Sequence, residues 1–396
     1  MVKGRSRTAR AKGPAAALAV LLLAAACSNG AGATPKITTT ARPGVAPVPP
    51  AKGAYFGAWA PERDEPKAKP SDRRPSPSGS PTASATPSAS ETPSASETPS
   101  ASETPSASET PSASGTPSAS GSPTGRPAPE PVRGFEQDLG RQLDIVQSYR
   151  SWKSKFPSRE DAALLDAGDR YLLLTWAGAD TKEIVSGEHD ELVRERARQI
   201  KATGKPIFLR WSPDMEKASL EGRVHSGKDF IAAWRHLRAV FKAERVDNVA
   251  WVWCPTAGGF GARNAPAYYP GDDQVDWICA DAQPGGGNDY QDLSDTLKPF
   301  LDWADDRPKP IMIAEFGVPR SYGPRRAEWL RKAAETLQDP QVKAVVYFNS
   351  DERASEPRDQ RRAYAVSGDQ QAVSALRELA TTPYFNPRNL PVTSGG

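Results

Sequence analysis

Short apolar runs alternate with amphipathic segments along the chain from Gly134 to about Asn386. Apolar runs of about four to eight residues predict buried strands, and a period of about 3.6 predicts the helices between them. Seven strands are predicted near 143–152, 170–178, 205–212, 248–255, 275–283, 309–318 and 342–350. Helices are predicted between them, for example over HDELVRERARQIKATG, GKDFIAAWRHLRAVFKAE and RRAEWLRKAAETLQ. This alternation is typical of a parallel sheet covered by helices.

One more apolar segment, AYFGAWA at 54–60, lies far upstream of the others. A (β/α)8 TIM barrel closes with eight strands in about 250 residues, whereas seven strands leave an unpaired edge. We therefore predict an α/β TIM barrel with its first strand at 54–61, its remainder at 133–387 and a C-terminal tail at 388–396. The alternative, an apolar patch within a spacer, leaves barrel closure unexplained.

The region between the first strand and the rest of the barrel has almost no large apolar residues. It repeats the hexamer SASETP between Ser88 and Pro111 and continues as SASGTP and SASGSP. Such side chains cannot bury enough apolar surface to offset the entropy of ordering the chain. We therefore predict that 62–132 is a disordered Ser/Thr/Pro-rich insertion after strand 1, and that 28–53 is a shorter flexible spacer.

The N-terminus has the layout of an export signal, with five basic residues between Lys3 and Lys12 before an apolar run from Ala15 to Ala26. The run is too short for a comfortable permanent membrane span. Its end, LLLAAACSNG, resembles the lipobox of bacterial lipoproteins, although Ala24 stands where leucine is usual. The resemblance implies that 1–27 is a lipoprotein signal with Cys27 acylated, and that the protein is anchored on the extracellular face of the cell membrane. The alternative is secretion after a simple Ala-x-Ala cleavage.

The formal charge of +3 comes from this leader, because five of the 51 basic residues lie in it and 46 remain against 48 acidic residues. No strongly basic surface is expected, which argues against nucleic acid as a partner. Only Cys254 and Cys279 follow Cys27, and they fall at matching heights on neighbouring predicted strands. They are predicted to form a disulfide, with two buried thiols as the alternative. We expect a monomer without cofactor or metal, since CxxC and His-rich motifs are absent and YYPGDDQVDW is more typical of a turn than of a metal loop.

Acidic and aromatic residues fall at the predicted C-terminal ends of the strands, where active sites of TIM barrels are built. The acids are Asp214 after strand 4, Asp281 near the end of strand 6 and Glu315 on strand 7. Aromatic rings pack against the C–H faces of sugars, and two carboxyl groups about 5–5.5 Å apart carry out retaining glycoside hydrolysis. We predict Glu315 and Asp214 as catalytic, and as substrate-binding residues Trp59, Trp176, Trp211, Trp253, Asp281 and Phe348.

Strands 4 and 7 lie across the mouth of a barrel, so Asp214 and Glu315 are expected to face each other. Glu315 follows four apolar residues, and a carboxylate in such a strand rarely lacks a partner or a function. A structural pair with Arg210 is the alternative for Glu315. A solvated loop position after Pro213 is the alternative for Asp214.

These motifs resemble those of the family 26 glycoside hydrolases, the β-mannanase-type family, across 54–350. The matching segments, in the family order, are AYFGAWAP, GFEQDLGRQLDIVQSYRSW, NVAWVWCP, YYPGDDQVDWICAD and KPIMIAEFG. The resemblance implies hydrolysis of a mannan-type β-linked polysaccharide by retaining double displacement. It also implies that Glu315 is the nucleophile and that position 214 carries the acid/base.

The chain departs from the family pattern at two positions. Where the family has Arg-x-x-His-Glu-Met-Asn, residues 210–216 read RWSPDME, so Asp214 replaces a glutamate and Pro213 a histidine. Aspartate is one methylene shorter, and misplacement by about 1 Å can cost about 10²-fold in rate; Glu216 is a substitute acid without an assured orientation. The family tyrosine that bonds the nucleophile corresponds to Gln283. Two hypotheses follow: an active glycosidase, or a catalytically degenerate barrel that binds carbohydrate.

Overall fold

A computed structural model of the protein describes residues 37–61, 127–284, 290–351 and 360–393; the signal segment, Cys27 and most of the predicted insertion lie outside these ranges. Eight parallel strands form a closed barrel in sequence order. They are β1 Tyr55–Trp59, β2 Ile145–Arg150, β3 Tyr171–Trp176, β4 Ile207–Trp211, β5 Val249–Trp253, β6 Trp277–Ala282, β7 Ile311–Phe316 and β8 Val342–Phe348. The predicted TIM barrel is confirmed, and each strand lies within its predicted segment.

Ten α-helices accompany the strands in the described part of the chain. They are α1 Glu130–Leu139, α2 Arg159–Asp166, α3 Thr181–Ser186, α4 Asp190–Ala202, α5 Glu221–Val224, α6 Gly227–Ala243, α7 Gly259–Ala262, α8 Leu293–Ala304, α9 Arg326–Thr336 and α10 Gln370–Thr381. Helix α6 shows why they form: Phe230, Trp234 and Phe241 are buried at helical spacing, and Ser226 Oγ caps the start by accepting from Asp229 N at 3.2 Å. Within the described ranges, none of the helices has the length and apolar character of a membrane span.

Strand β1 closes the barrel by pairing with β2 on one side and β8 on the other. Gly57 permits the approach to β2, because a Cβ at this position would lie 2.5 Å from the carbonyl oxygen of Ile145. Phe56 is fully buried and packs edge-on against Phe385 at 6.5 Å. The prediction that 54–61 supplies the first strand is confirmed.

The strands bury side chains on both faces. One buried cluster takes a residue from every strand and forms the barrel interior: Tyr55, Ile145, Leu173, Phe208, Val252, Trp277, Met312 and Ala344 are among its members. A second cluster lies between the strands and the helices. Polar side chains continue the interior series toward the C-terminal ends of the strands, among them Gln147 on β2, Thr175 on β3 and Arg210 on β4, all nearly inaccessible.

Residues 37–53 differ from the flexible spacer predicted for 28–53. Thr38 N donates to the carbonyl of Pro308 at 2.7 Å, and Arg42 pairs with Asp247 at 3.0 Å. Helix α1 begins at Glu130, so the last residues of the predicted 62–132 insertion are helical. Residues 37–53 are thus held by contacts with distant parts of the chain, which local composition does not indicate.

Candidate active site

An arginine flanked by two carboxylates lies at the C-terminal end of the barrel interior. Arg210 Nη1 donates to Asp281 Oδ1 at 2.7 Å and Oδ2 at 2.9 Å, and Nη2 donates to Glu315 Oε1 at 2.5 Å. Asp281 and Glu315 are neighbours on β6 and β7, beyond a bulge in which β7 has Ala314 as an extra residue and so re-aims its end at Glu315. Arg210 is fully buried, while Glu315 is 1 % and Asp281 7 % exposed. The cluster is therefore a fixed cation between two anions.

Further polar groups from β2 and β3 complete this cluster. Tyr149 Oη donates to Glu315 Oε1 at 2.5 Å, and Arg210 Nε donates to Thr175 Oγ1 at 3.0 Å. The Gln147 amide lies 3.0 Å from Tyr149 Oη and 3.2 Å from Thr175 Oγ1. Every side chain in this network comes from a strand, so the position of Glu315 is set by the rigid part of the fold.

Arg210 and Tyr149 both stay protonated, Arg210 because of neighbouring negative charges and Tyr149 mainly because of burial. Burial acts to lower the pKa of Arg210, but the adjacent charges of Asp281 and Glu315 raise it above its ordinary value. Burial, followed by the negative charge of Glu315, raises the pKa of Tyr149 well above its usual range. Both groups are therefore hydrogen-bond donors to the same oxygen, Oε1 of Glu315.

The sequence motifs do not single out Tyr149 as a site residue. The family tyrosine position is occupied by Gln283, whose Nε2 lies 3.4 Å from Glu315 Oε2. Tyr149 brings a phenolic donor to Glu315 from β2, on the opposite side of the barrel from β6. The signal was present in QSYR, where Gln147 and Tyr149 are two residues apart and so share a strand face.

Asp214 lies on the loop after β4 in the left-handed backbone region, with φ 58°. Its amide donates to the carbonyl of Cys254 at 3.0 Å, and Lys217 Nζ donates to its Oδ2 at 2.5 Å. Its Oδ1 is buried and has no hydrogen-bond partner among the described residues. The Asp214 side chain is 15 % exposed, so it is accessible in part at the barrel mouth.

Two cavities open at this end of the barrel. The β4–β6 cavity, of about 430 Å³, is lined by residues that include Asp214, Lys217, Thr256, Asp281 and Gln283. The β2–β4 cavity, of about 310 Å³, is lined by residues that include Tyr149, Arg150, Ser151, Thr175, Ser212 and Arg223. Partners of Glu315 line both cavities, which brings Asp214 and Glu315 to the same end of the barrel.

Glu216 is not placed as a substitute acid at the mouth. Its Oε1 accepts from the Thr256 amide at 3.0 Å and from Thr256 Oγ1 at 2.5 Å, which ties the loop after β4 to the loop after β5. The side chain is buried, and a Cβ at Gly259 would lie 2.7 Å from its Oε1. Burial raises the pKa of Glu216, while the hydrogen bonds from Thr256 act in the opposite direction.

Three of the predicted sugar-binding aromatics face the helical layer. Trp176 stacks on Trp152 at 4.4 Å, and Trp211 stacks on Phe230 of α6 at 5.1 Å. Trp253 is fully buried and packs against aromatic residues beyond its strand, including Tyr269 at 4.9 Å.

This placement corrects the prediction that Trp176, Trp211 and Trp253 bind substrate. Successive side chains of a strand point to opposite faces. Arg210 points into the barrel, and therefore Trp211 points out. Thr175 and Cys254 impose the same orientation on Trp176 and Trp253.

Trp59 and Phe348 lie at the C-terminal ends of β1 and β8, where they are register partners. The ring of Trp59 meets Tyr149 edge-on at 4.8 Å and is partly buried. Phe348 is 3 % exposed and meets Tyr364 edge-on at 5.9 Å. Trp59 is thus the predicted aromatic that lies beside a partner of Glu315.

Cys254 and Cys279 form a disulfide across β5 and β6, with a Cα–Cα distance of 4.4 Å. Both belong to the cluster in the barrel interior. The bridge lies two residues below Asp281 on β6, so it joins the two strands directly beneath the charged cluster.

No family model matches the chain, but two comparisons found similar proteins. Endoglucanase H of Acetivibrio thermocellus is 27 % identical over 283 residues, which are 66 % of this chain and 30 % of that protein. The chain thus spans less than a third of that curated relative. A family 26 β-mannanase from Bacteroides ovatus shares 14 % identity and a TM-score of 0.50, over 63 % of this chain and 82 % of that one. The chain is therefore similar in its barrel fold to a family 26 glycoside hydrolase of solved structure.

Proposed function

We propose that this protein is a glycoside hydrolase that cleaves a β-linked polysaccharide, mannan-type by resemblance, by retaining double displacement. The observation that carries the proposal is the strand-held Glu315, bonded by Arg210 and Tyr149 beside two open cavities. The similarity to an endoglucanase and to a β-mannanase supports a polysaccharide as the substrate class. A lipid anchor at Cys27, an extracellular location and a monomeric state complete the proposal and rest on the sequence.

Glu315 is the proposed nucleophile because its carboxylate is oriented by fixed hydrogen-bond donors. Arg210 and Tyr149 both bond Oε1, whereas Oε2 contacts Gln283, which lines the β4–β6 cavity. In the first step Oε2 bonds to the anomeric carbon while the glycosidic C–O bond breaks and its oxygen takes a proton. Water then attacks the same carbon and releases Glu315.

Asp214 is the proposed acid/base because it lines the same cavity as Gln283. It would give its proton to the leaving oxygen and later take one from the attacking water. Lys217 Nζ donates a hydrogen bond to Oδ2 of Asp214. For catalysis, the Asp214 carboxyl group must leave this ammonium group and bond the glycosidic oxygen. This ion pair is the observation that favours the second candidate, a degenerate barrel that binds carbohydrate without cleaving it.

Hydrolysis of β-1,4-linked manno- and gluco-oligosaccharides separates the two candidates, with product anomers followed by NMR. We expect Glu315→Gln to lower kcat by roughly 10⁴-fold or more and Asp214→Asn by about 10²–10⁴-fold. Asp302→Asn, an exposed carboxylate on α8, is the matched control and should retain activity. Full activity in the Glu315 variant would exclude it as nucleophile. Saccharide binding without turnover in the unaltered protein would favour the non-catalytic candidate.

A further inference from the structure

The β2–β4 cavity carries positive charge and hydroxyl groups. Arg150 and Arg223 line it together with hydroxyl groups of Tyr149, Ser151 and Ser212, and no aspartate or glutamate is among its lining residues. The β4–β6 cavity differs, because Asp214, Asp281 and Asp295 are part of its wall. The two halves of the mouth therefore offer different electrostatic environments to a bound saccharide.

The charge of Arg150 is already matched within the protein. Its Nε donates to Asp161 Oδ2 at 2.8 Å and its Nη2 donates to Asp161 Oδ1 at 2.8 Å, a bidentate pair. Its Nη2 also donates to Ser158 Oγ at 2.6 Å, at the start of α2. Arg150 is therefore a structural cation that holds the loop after β2.

Arg223 on α5 is in a different situation. Among the described residues its guanidinium has no carboxylate partner, and its Nε is buried without a hydrogen-bond acceptor. The side chains of His225 and Asp180 are hydrogen-bonded to each other, with Nε2 of the histidine 2.7 Å from Oδ2 of the aspartate. A buried guanidinium nitrogen without an acceptor is costly, and a planar carboxylate matches the fork of a guanidinium in two hydrogen bonds.

We propose that the β2–β4 cavity binds a sugar that carries a carboxylate, a uronate, and that Arg223 recognises this group. The inference rests on the proposed function, since it names the substrate class of the same mouth. Tyr149 lines this cavity and bonds Glu315, so a uronate held by Arg223 lies along the chain from the sugar at Glu315. Hydroxyls of Ser151 and Ser212 are available to the ring of that uronate. The polysaccharide is therefore a mannan-type β-linked chain in which sugars carry carboxylates.

Calorimetric titration with three matched hexasaccharides tests the assignment: β-1,4-mannuronan, its methyl ester and neutral β-1,4-mannan. The Glu315→Gln background prevents cleavage during the titration. We expect the free acid to bind on the order of 10-fold tighter than the ester or the neutral sugar. Arg223→Gln should remove this preference and Arg223→Lys should keep part of it. Arg133→Gln, an exposed arginine on α1, is the matched control and should keep all of it.

Equal affinity for the three saccharides, binding of none of them, or a preference that persists in Arg223→Gln would overturn the inference. Circular dichroism checks that each variant is folded, and Arg223→Lys provides a charge-retaining comparison. Hydrolysis is assayed separately on the protein with Glu315 intact. Absent turnover with a retained preference for the acid would refute the enzymatic proposal and leave the carboxylate site standing. Turnover without a preference for the acid would refute the carboxylate site and leave the enzymatic proposal standing.

Discussion

Arg210 is the residue whose loss should disturb this protein most, and Arg210→Met is the sharpest test of the charged cluster. The guanidinium is fully buried and lies 2.5–2.9 Å from oxygens of Asp281 and Glu315. Methionine fills a similar volume but carries neither charge nor donors. Two buried carboxylates then lose the cation between them.

The magnitude follows from these distances. At an effective dielectric constant of about 20, opposite charges about 2.7 Å apart attract by roughly 6 kcal/mol. Desolvation of each ion offsets several kcal/mol of this, and removal of one partner from a buried pair costs about 3–5 kcal/mol. Because two carboxylates lose their partner at once, we expect a loss near 5 kcal/mol. Domains have about 5–15 kcal/mol in total, so the variant should be marginally folded.

Urea denaturation at pH 7, followed by the fluorescence of the ten tryptophans, measures this loss. Arg331→Met removes an exposed ion pair with Glu378 and should leave the free energy of unfolding nearly unchanged. Adding Asp281→Asn and Glu315→Gln to Arg210→Met should recover most of the stability, because no buried charge is then left unpaired. A cost within about 1 kcal/mol for Arg210→Met, or no recovery in the triple variant, would refute the reasoning.

Three further predictions concern neighbouring parts of the site. Tyr149→Phe removes a donor to Glu315 and should lower kcat/KM by about 10–100-fold with little change in KM; because the pKa of Tyr149 is raised, the loss should be constant from about pH 5 to 9. Burial raises the pKa of Glu216, so the folded state binds its proton more tightly than the unfolded state does. The folded state therefore loses stability as the pH rises through that raised pKa. Glu216→Gln should be more stable than the unaltered protein near pH 7, and the difference should vanish toward about pH 4. Replacing Cys254 and Cys279 by alanine opens a link across 25 residues and should cost about 3–4 kcal/mol in denaturant unfolding.

Matched variants keep these tests specific. Tyr384→Phe alters a tyrosine that bonds the carbonyl of Asp339 and should leave kcat/KM unchanged. Glu328→Gln, on the exposed surface of α9, should show no pH-dependent gain. A kcat/KM loss that varies with pH, a lower stability of Glu216→Gln at pH 7, or a disulfide-free protein within about 1 kcal/mol of the original would each contradict the corresponding argument.

The fold could be predicted from the sequence because strand identity depends on local composition. Each barrel strand is a continuous apolar run, and the helices between them keep a clear amphipathic stripe. The first strand, 54–61, was assigned by closure: seven strands leave an edge, and only AYFGAWA had the composition to fill it. The number of strands needed to close the barrel therefore identified this strand, which local sequence alone could not.

The residues that line the mouth of the barrel could not be predicted from local composition. Because every strand is buried on both faces, alternation of polar and apolar residues gives little indication of which side faces inward. The exceptions are charged residues: Arg210 faces the barrel interior, and its neighbour Trp211 therefore faces outward. The bulge at Ala314 of β7 shifts the alternation so that Glu315 also faces inward, and no composition rule locates it. Contacts such as Thr38 with Pro308 are equally invisible, since they join segments 270 residues apart.

Strand β1 has a consequence for how the polypeptide can be divided. It is held by parallel ladders to β2 and β8 and by the buried ring of Phe56, while its sequence neighbours on the C-terminal side, 62–126, separate it from α1. A cut within 62–126 would turn residues up to the cut into a peptide subunit that stays docked without a covalent link. Two fragments expressed apart should reassemble on mixing, and cleavage by a protease within this segment should leave the C-terminal fragment bound to the N-terminal one.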